Sequence, residues 1–478
     1  MRPLRDRRRV GLGSTTATAV LAWPSTAAAH GVQGRAETPI PISAFFWVAA
    51  IVMVVSFVGL AFGWSRSRLQ TVPWRPVPAR FERVARDPRL LWTVRIVVLV
   101  LFLLVLAAAA FGSTRLNSNL APVAIFVVWW VGLVPVVVLL GDVWSQVNPW
   151  RTIATLAGWH RRQGRPLPAW MGWWPAALLL VLWAWIELVY PTSARPRLIA
   201  AWVVAYSAVN LAGMWRYGVA RWTTSGDLFS VYSRVLASLS IWETREIDGR
   251  DRLGLRPPVV GVVSLPERPG QVMFVGALVA TVSFDGLSGS TFWAERDVTA
   301  AERLIDLGIG SFTAGIIVAT IGLLTTLAIV IGGYRAAAWS AARLGRFPEP
   351  YQAARALAHT LVPIALAYFV AHYFTLFAFA GQDIVRLLSD PFGSGWNLWG
   401  TADFRIDFQL VSPNLIWGVQ VTAIIVGHVL GLALAHDRAL QLSPSHRAAV
   451  LSQAPMLVLM VALTVAGLWS LSEGMANV

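Results

Sequence analysis

Long apolar runs constrain this chain more than any other feature. Ten stretches, at about 41–64, 90–112, 120–141, 170–190, 198–217, 271–292, 309–333, 355–380, 413–435 and 453–471, carry few charges. About 18 or more apolar residues can cross a hydrocarbon core of ~30 Å as a helix. Backbone polar groups in lipid must be satisfied within the segment, which favours helices over open sheets. The expected fold is therefore all-α, a polytopic transmembrane helical bundle of about ten spans. Composition agrees, with 56% hydrophobic and only 13% charged residues among 478. That charged fraction is about half the soluble norm. The polar connections are too short for a separate soluble domain, so residues 30–478 read as one membrane domain.

The first 29 residues read as a cleavable signal peptide. "MRPLRDRRR" is a basic start, "VGLGSTTATAVLAW" a short apolar stretch, and "STAAA" a small-residue cleavage pattern. Cleavage after Ala29 leaves His30 at the mature N-terminus, where its amine and imidazole together can chelate a metal such as copper.

The formal charge is +15, and all 39 basic residues are arginine. These arginines lie between apolar runs, which suits helix orientation and contact with anionic headgroups rather than nucleic-acid binding. The expected partners are the lipid bilayer and a lipophilic small molecule; no protein partner is legible. With the mature N-terminus outside, the cytoplasmic connections hold 25 arginines and the outer ones 8. This positive-inside asymmetry predicts a multi-pass protein of a bacterial plasma membrane with both mature termini extracytoplasmic. Cysteine is absent, which excludes disulfides, thiolate metal sites and cysteine nucleophiles. Many of the 25 tryptophans sit at run ends, as in an interfacial aromatic belt.

Two cytoplasmic stretches, 143–159 and 220–242, mix aromatic and charged residues at helical spacing and predict amphipathic helices lying in the inner interface. Asn148-Pro149 and Asp227 are placed to start helices within them. The sixth span, "QVMFVGALVATVSFDGLSGSTFW", carries Asp285 among glycines and serines in its second half. Helix breakers beside a carboxylate at membrane depth point to a site.

Ionisable residues inside the membrane are costly and suggest function. Asp285 is 13 residues past Val272 and His372 is 16 past Ala356. At 1.5 Å per residue these are depths of roughly 20 and 24 Å from the inner side, both in the outer half. Glu187 is near the outer end of the fourth span. His372 and Asp285 are candidate catalytic residues, as a His–Asp acid/base pair. With Asp383 and His30 they also form a candidate set for a divalent metal ion of unknown identity. The bland alternative for His372 is an imidazole bonded to a neighbouring helix. His359, His428 and His436 form an alternative set for a haem between the eighth and ninth spans, a weaker reading because their spacing matches poorly. No HExxH, P-loop, GxSxG or dinucleotide fingerprint is present.

Five phrases, "AHGVQGRAETPIP", "LLGDVWSQVNPWR", "SGDLFSVYSRVLASLS", "VSFDGLSGSTFW" and "VAHYFTLFAFAGQD", resemble a family of bacterial integral membrane proteins labelled fenitrothion hydrolases. The resemblance runs from His30 onward. It implies hydrolysis of a lipophilic phosphotriester at the membrane. The alternatives are a transporter or metal-handling permease using His372 and Asp285, and a haem-bearing or assembly-factor membrane protein.

Overall fold

The computed structural model describes residues 42–69 and 72–476. The signal-peptide region and His30 lie outside the described residues. The spans form helices Ile42–Gly63, Pro88–Phe111, Leu120–Leu140, Trp174–Leu188, Pro196–Tyr217, Gln271–Ser288, Ser311–Gly345, Val362–Ala380, Pro413–Leu442 and His446–Ala476. Among the described residues, nine of these helices are long and apolar enough to cross a membrane. The fourth, Trp174–Leu188, has 15 residues. The chain is a polytopic helical bundle of about ten spans, and its apolar helices suit a lipid bilayer.

Local chemistry sets where the spans begin. Asp87 caps the second by accepting from the N–H groups of Arg89 (2.7 Å) and Leu90 (3.3 Å), with Pro88 in the first turn. Ser412 and Pro413 start the ninth in the same way, with Ser412 Oγ accepting from the Leu415 N–H. The third span is not a uniform α-helix. A π-helical stretch, Val123–Trp129, precedes its last two turns. Such widened turns are uncommon and often occur at functional sites. Here the segment presents Trp129 to Phe229, with ring centroids 3.9 Å apart, and Trp130 stacks on Tyr232 at 5.0 Å.

The eighth and ninth spans are joined along a glycine seam. A Cβ on Gly427 would stand 2.3 Å from Ala367 Cβ and 2.8 Å from the Pro363 carbonyl oxygen. One on Gly431 would stand 2.9 Å from the Thr360 carbonyl oxygen. These small residues, four apart, let two backbones touch, since side-chain packing rather than hydrophobicity drives helix association in lipid.

Three features depart from expectation. The helix that follows Asp227 is buried within the protein. This helix, Leu228–Ala237, is buried along its length except at Arg234, and it packs on the third and fourth spans. Its polar side, with Ser230 and Ser233, is buried as well as its apolar side, so it is an interior helix rather than one with a solvated face. The sixth span is not broken at Asp285: regular helix continues to Ser288, and Ser290 then starts a separate helix, Thr291–Asp306, by accepting from the Trp293 N–H. Third, the Arg-rich connection after residue 241 contains a β-hairpin. Strands β2 (Trp242–Ile247) and β3 (Arg250–Leu255) pair antiparallel, and β1 (Arg75–Pro76) adds to β3. Asp248-Gly249 makes the turn, with φ of 51° and 71°. Two successive positive φ values belong to the tight hairpin turns that Asp-Gly favours.

Candidate functional site

The site is built where the sixth and eighth spans meet in the Arg-poor half of the bundle. His372 Nε2 lies 2.8 Å from Asp285 Oδ2, and the Tyr373 hydroxyl donates to the same oxygen at 2.8 Å. Asp285 comes from one helix and its two partners from the other. The Asp285 side chain is 3% exposed and that of His372 is 16% exposed. A carboxylate this deeply buried is tolerable only with a cation or donors against it, and here it has an imidazole and a phenol.

Other spans close round this pair. Glu187, from the fourth span, is near enough for its charge to act on Asp285, Tyr373 and Tyr232. Tyr232 comes from the buried helix Leu228–Ala237, and its hydroxyl has no hydrogen-bond partner among the described residues. Trp130 stacks on Tyr232 and meets Phe369 edge-on at 5.9 Å. Trp130, directly after the π-helical stretch, thus joins an aromatic layer with Tyr232 and Phe369 beside the polar cluster. The arrangement holds two carboxylates, one imidazole and two phenols in a medium that strengthens every charge interaction. It can take up, hold and pass on a proton.

Beyond the aromatic layer lies an apolar cavity of about 500 Å³. Phe102, Phe126, Trp129, Trp150, Trp183 and Trp202 are among its lining side chains. Other lining residues, such as Leu101, Val136, Leu182 and Val209, are 42–47% exposed, so the cavity opens on the flank of the bundle where lipid would lie. Its volume falls within the range of small-molecule sites. Trp183 belongs both to its wall and to the layer over the polar cluster, packing on Trp130 at 5.4 Å.

A second polar knot joins the two helix starts expected at Asn148 and Asp227. Asn148 Nδ2 donates to Asp227 Oδ2 at 2.7 Å and to Ser230 Oγ at 3.0 Å, while Tyr206 and Ser230 donate their hydroxyls to Asp227. Asn148 Oδ1 caps Arg151. Three side-chain donors hold Asp227, so this carboxylate anchors the interior helix.

The remaining candidates are placed elsewhere. Asp383 is held by Arg386, whose Nε and Nη2 donate to its two oxygens at 2.8 and 2.7 Å. His30 lies outside the described residues. Among the described residues no three of His, Asp, Glu or Cys stand together as a metal-binding group. The pair His372–Asp285 supplies two donors, short of the three or four that hold a catalytic divalent ion, and Asp285 Oδ2 is already shared between two partners. The alternative haem set does not converge on a slot either. His428 Nδ1 is 2.8 Å from the Ile424 carbonyl oxygen of its own helix, and the glycine seam beside it brings the two backbones together. His436 Nε2 bonds the Trp64 carbonyl oxygen at 2.8 Å, and His359 is buried one helix segment before the eighth span.

Tyr373, Tyr232 and Trp130 escaped the sequence reading. Aromatic residues in an apolar run look like lipid-facing filler; only the adjacency of Tyr373 to His372 hinted at a shared role. No family model matches the chain, and neither a curated protein nor a solved structure matches it.

Proposed function

We propose that this protein is a membrane-embedded hydrolase of lipophilic organophosphorus esters, with His372 and Asp285 as its acid/base pair. The observation that carries this reading is the 2.8 Å contact between His372 Nε2 and Asp285 Oδ2, inside a bundle and two aromatic rings away from a flank-opening apolar cavity. An imidazole oriented by a buried carboxylate is the usual apparatus for removing a proton from an attacking hydroxyl or water. The cavity suits a substrate that partitions into the bilayer first. Resemblance to the fenitrothion hydrolase family supplies the substrate class. The 25-to-8 arginine asymmetry supports a bacterial plasma membrane location, with the site in the outer half and both mature termini outside.

The test is turnover. Purified protein in nanodiscs is given a nitrophenyl phosphotriester, and nitrophenolate release is followed by absorbance. The expected result is release that disappears in His372→Ala and Asp285→Asn. Absence of release by the unmodified protein, or full release by both variants, would overturn the reading.

One observation favours a second reading, a proton-coupled permease. Glu187, Asp285 and His372 bring protonatable groups from three spans to one depth. That reading predicts no ester turnover, but solute movement in proteoliposomes that is driven by a pH gradient and lost in Asp285→Asn.

A further inference from the structure

We propose that the flank-opening cavity and the arginines beside it form a binding site for one anionic membrane phospholipid, with an acyl chain in the cavity and the phosphate on Arg95 and Arg151. The inference goes beyond the hydrolase reading and requires no chemistry at His372. Arg95 is on the second span, and Arg151 is on the helix Pro149–Leu156. Arg95 Nε donates to the Gln146 carbonyl oxygen at 2.7 Å, and Arg151 Nη1 donates to the Ser145 carbonyl oxygen. Two guanidinium groups are therefore fastened to consecutive carbonyls of one short helix, Trp144–Val147. Carbonyls at a helix C-terminus attract cations, which accounts for where the two side chains lean. It does not account for the charge gathered around them.

The charged groups close enough to act on Arg151 are Arg95, Arg234 and Asp142. Those acting on Arg234 are Asp142 and Arg268. Asp142 lies 3.8 Å from Arg234, and its Oδ1 also takes the Ser145 N–H and the Ser233 hydroxyl. Four guanidinium groups thus share one carboxylate in this set, and an anion would offset the excess. A guanidinium carries five N–H donors. Among the described residues, one donor of Arg95 and one of Arg151 are accepted by protein. Both side chains are half-buried, so their remaining donors are open to a ligand at the interface. Arginine recognises phosphate through such paired donors.

The same elements carry the cavity. Val98 and Leu101 follow Arg95 on the second span, Trp150 precedes Arg151, and all three are lining residues. The wall on the fifth span runs from Ile199 to Val209, ten residues or about 15 Å of depth. No charged side chain lines it. The cavity therefore suits a long apolar body, and the arginines beside it add the demand for an anionic end. A phospholipid meets both, because its phosphate stands at the interface while its chains run toward the bilayer centre. A lipophilic ester entering from the bilayer would displace the chain, so the two occupants compete for the cavity and neither reading depends on the other.

The test is native mass spectrometry of the full chain released from detergent, titrated with phosphatidylglycerol and separately with phosphatidylcholine of the same acyl chains. The expected result is one phosphatidylglycerol bound roughly thirtyfold more tightly than phosphatidylcholine, the factor that two arginines supply at an anionic surface. Arg95→Gln/Arg151→Gln should reduce that preference to about threefold or less. Ala205→Trp, which places bulk in the cavity from the fifth span, should weaken both lipids alike. Inorganic phosphate at millimolar concentration should displace neither lipid. A phosphatidylglycerol with a photoactivatable diazirine on its acyl chain gives a readout that needs no variant: its adducts in nanodiscs should map to the second, third and fifth spans. Equal affinity for the two lipids, a preference unchanged in Arg95→Gln/Arg151→Gln, displacement by inorganic phosphate, or adducts confined to other spans would overturn the site. None of these outcomes bears on the hydrolase reading, which nitrophenolate release decides.

Discussion

Replacing Tyr373 by Phe removes one hydroxyl and nothing else, and the hydroxyl it removes reaches a buried carboxylate on another span. Tyr373 Oη and Asp285 Oδ2 are 2.8 Å apart, and both side chains are buried. Hydrogen bonds to charged groups contribute about 1.5–3 kcal/mol in soluble proteins. Interhelical hydrogen bonds in membranes average about 0.6 kcal/mol and reach about 1.7, because the separated helices find other partners. The short distance and the charged acceptor put this bond at the upper end of the membrane range, so the expected coupling is about 1.5 kcal/mol. The measurement is a double-mutant cycle of Tyr373→Phe and Asp285→Ala, with stability read from unfolding in micelles of rising SDS fraction. Any cost at His372 of losing Asp285 occurs in both arms that lack the carboxylate, so it cancels in the cycle. A coupling within about 0.3 kcal/mol of zero, with both single variants folded, would refute the claim that Tyr373 supports the ionised carboxylate.

Two glycines that look alike in sequence should respond differently to alanine. Gly286→Ala meets chiefly the rotatable hydroxyl of Ser470, with Ser470 Cβ at 3.3 Å, so unfolding should change by about 1 kcal/mol or less. Gly427→Ala meets Ala367 Cβ and the Pro363 carbonyl, which cannot rotate away, and should destabilise by about 1–3 kcal/mol in the same SDS assay. Asn148→Ala should cost about 1–3 kcal/mol, because it strips a donor from buried Asp227 and a cap from the helix at Arg151. Burial raises the Asp297 carboxyl above its ordinary 3.8. Its protonated form therefore favours the folded state: this stabilisation is complete below pH 3.8 and is lost as pH rises through the folded value. Asp297→Asn should accordingly raise the thermal unfolding temperature at pH 7 relative to the parent, and the difference should shrink towards pH 4.

The spans were legible because lipid leaves a chain so few choices, and the depth of Asp285 and His372 followed from the helical rise alone. Their contact was not legible, since depth says nothing about azimuth round a helix axis. The interior helix Leu228–Ala237 was hidden for a related reason. Arg234 and the flanking serines give it an interfacial composition, yet the serine hydroxyls are consumed inside the protein, as Ser233 is by Asp142 at 2.9 Å. Asp248-Gly249 carried a readable hairpin signal that was passed over among charged loop residues. Ser470 carried none. A serine near the end of an apolar span has no sequence mark of its neighbours, and only the missing side chain at Gly286 gives it a place.

The glycine seam between the eighth and ninth spans also decides where motion can occur. Two helices whose backbones touch at Gly427 and Gly431 cannot slide or rotate against each other without leaving contact over both positions at once. His372 and Tyr373 thus ride on a stiff two-helix plate. Any opening that admits a molecule to the imidazole has to come from the opposite wall, by displacement of the sixth span, the tenth span or the aromatic layer.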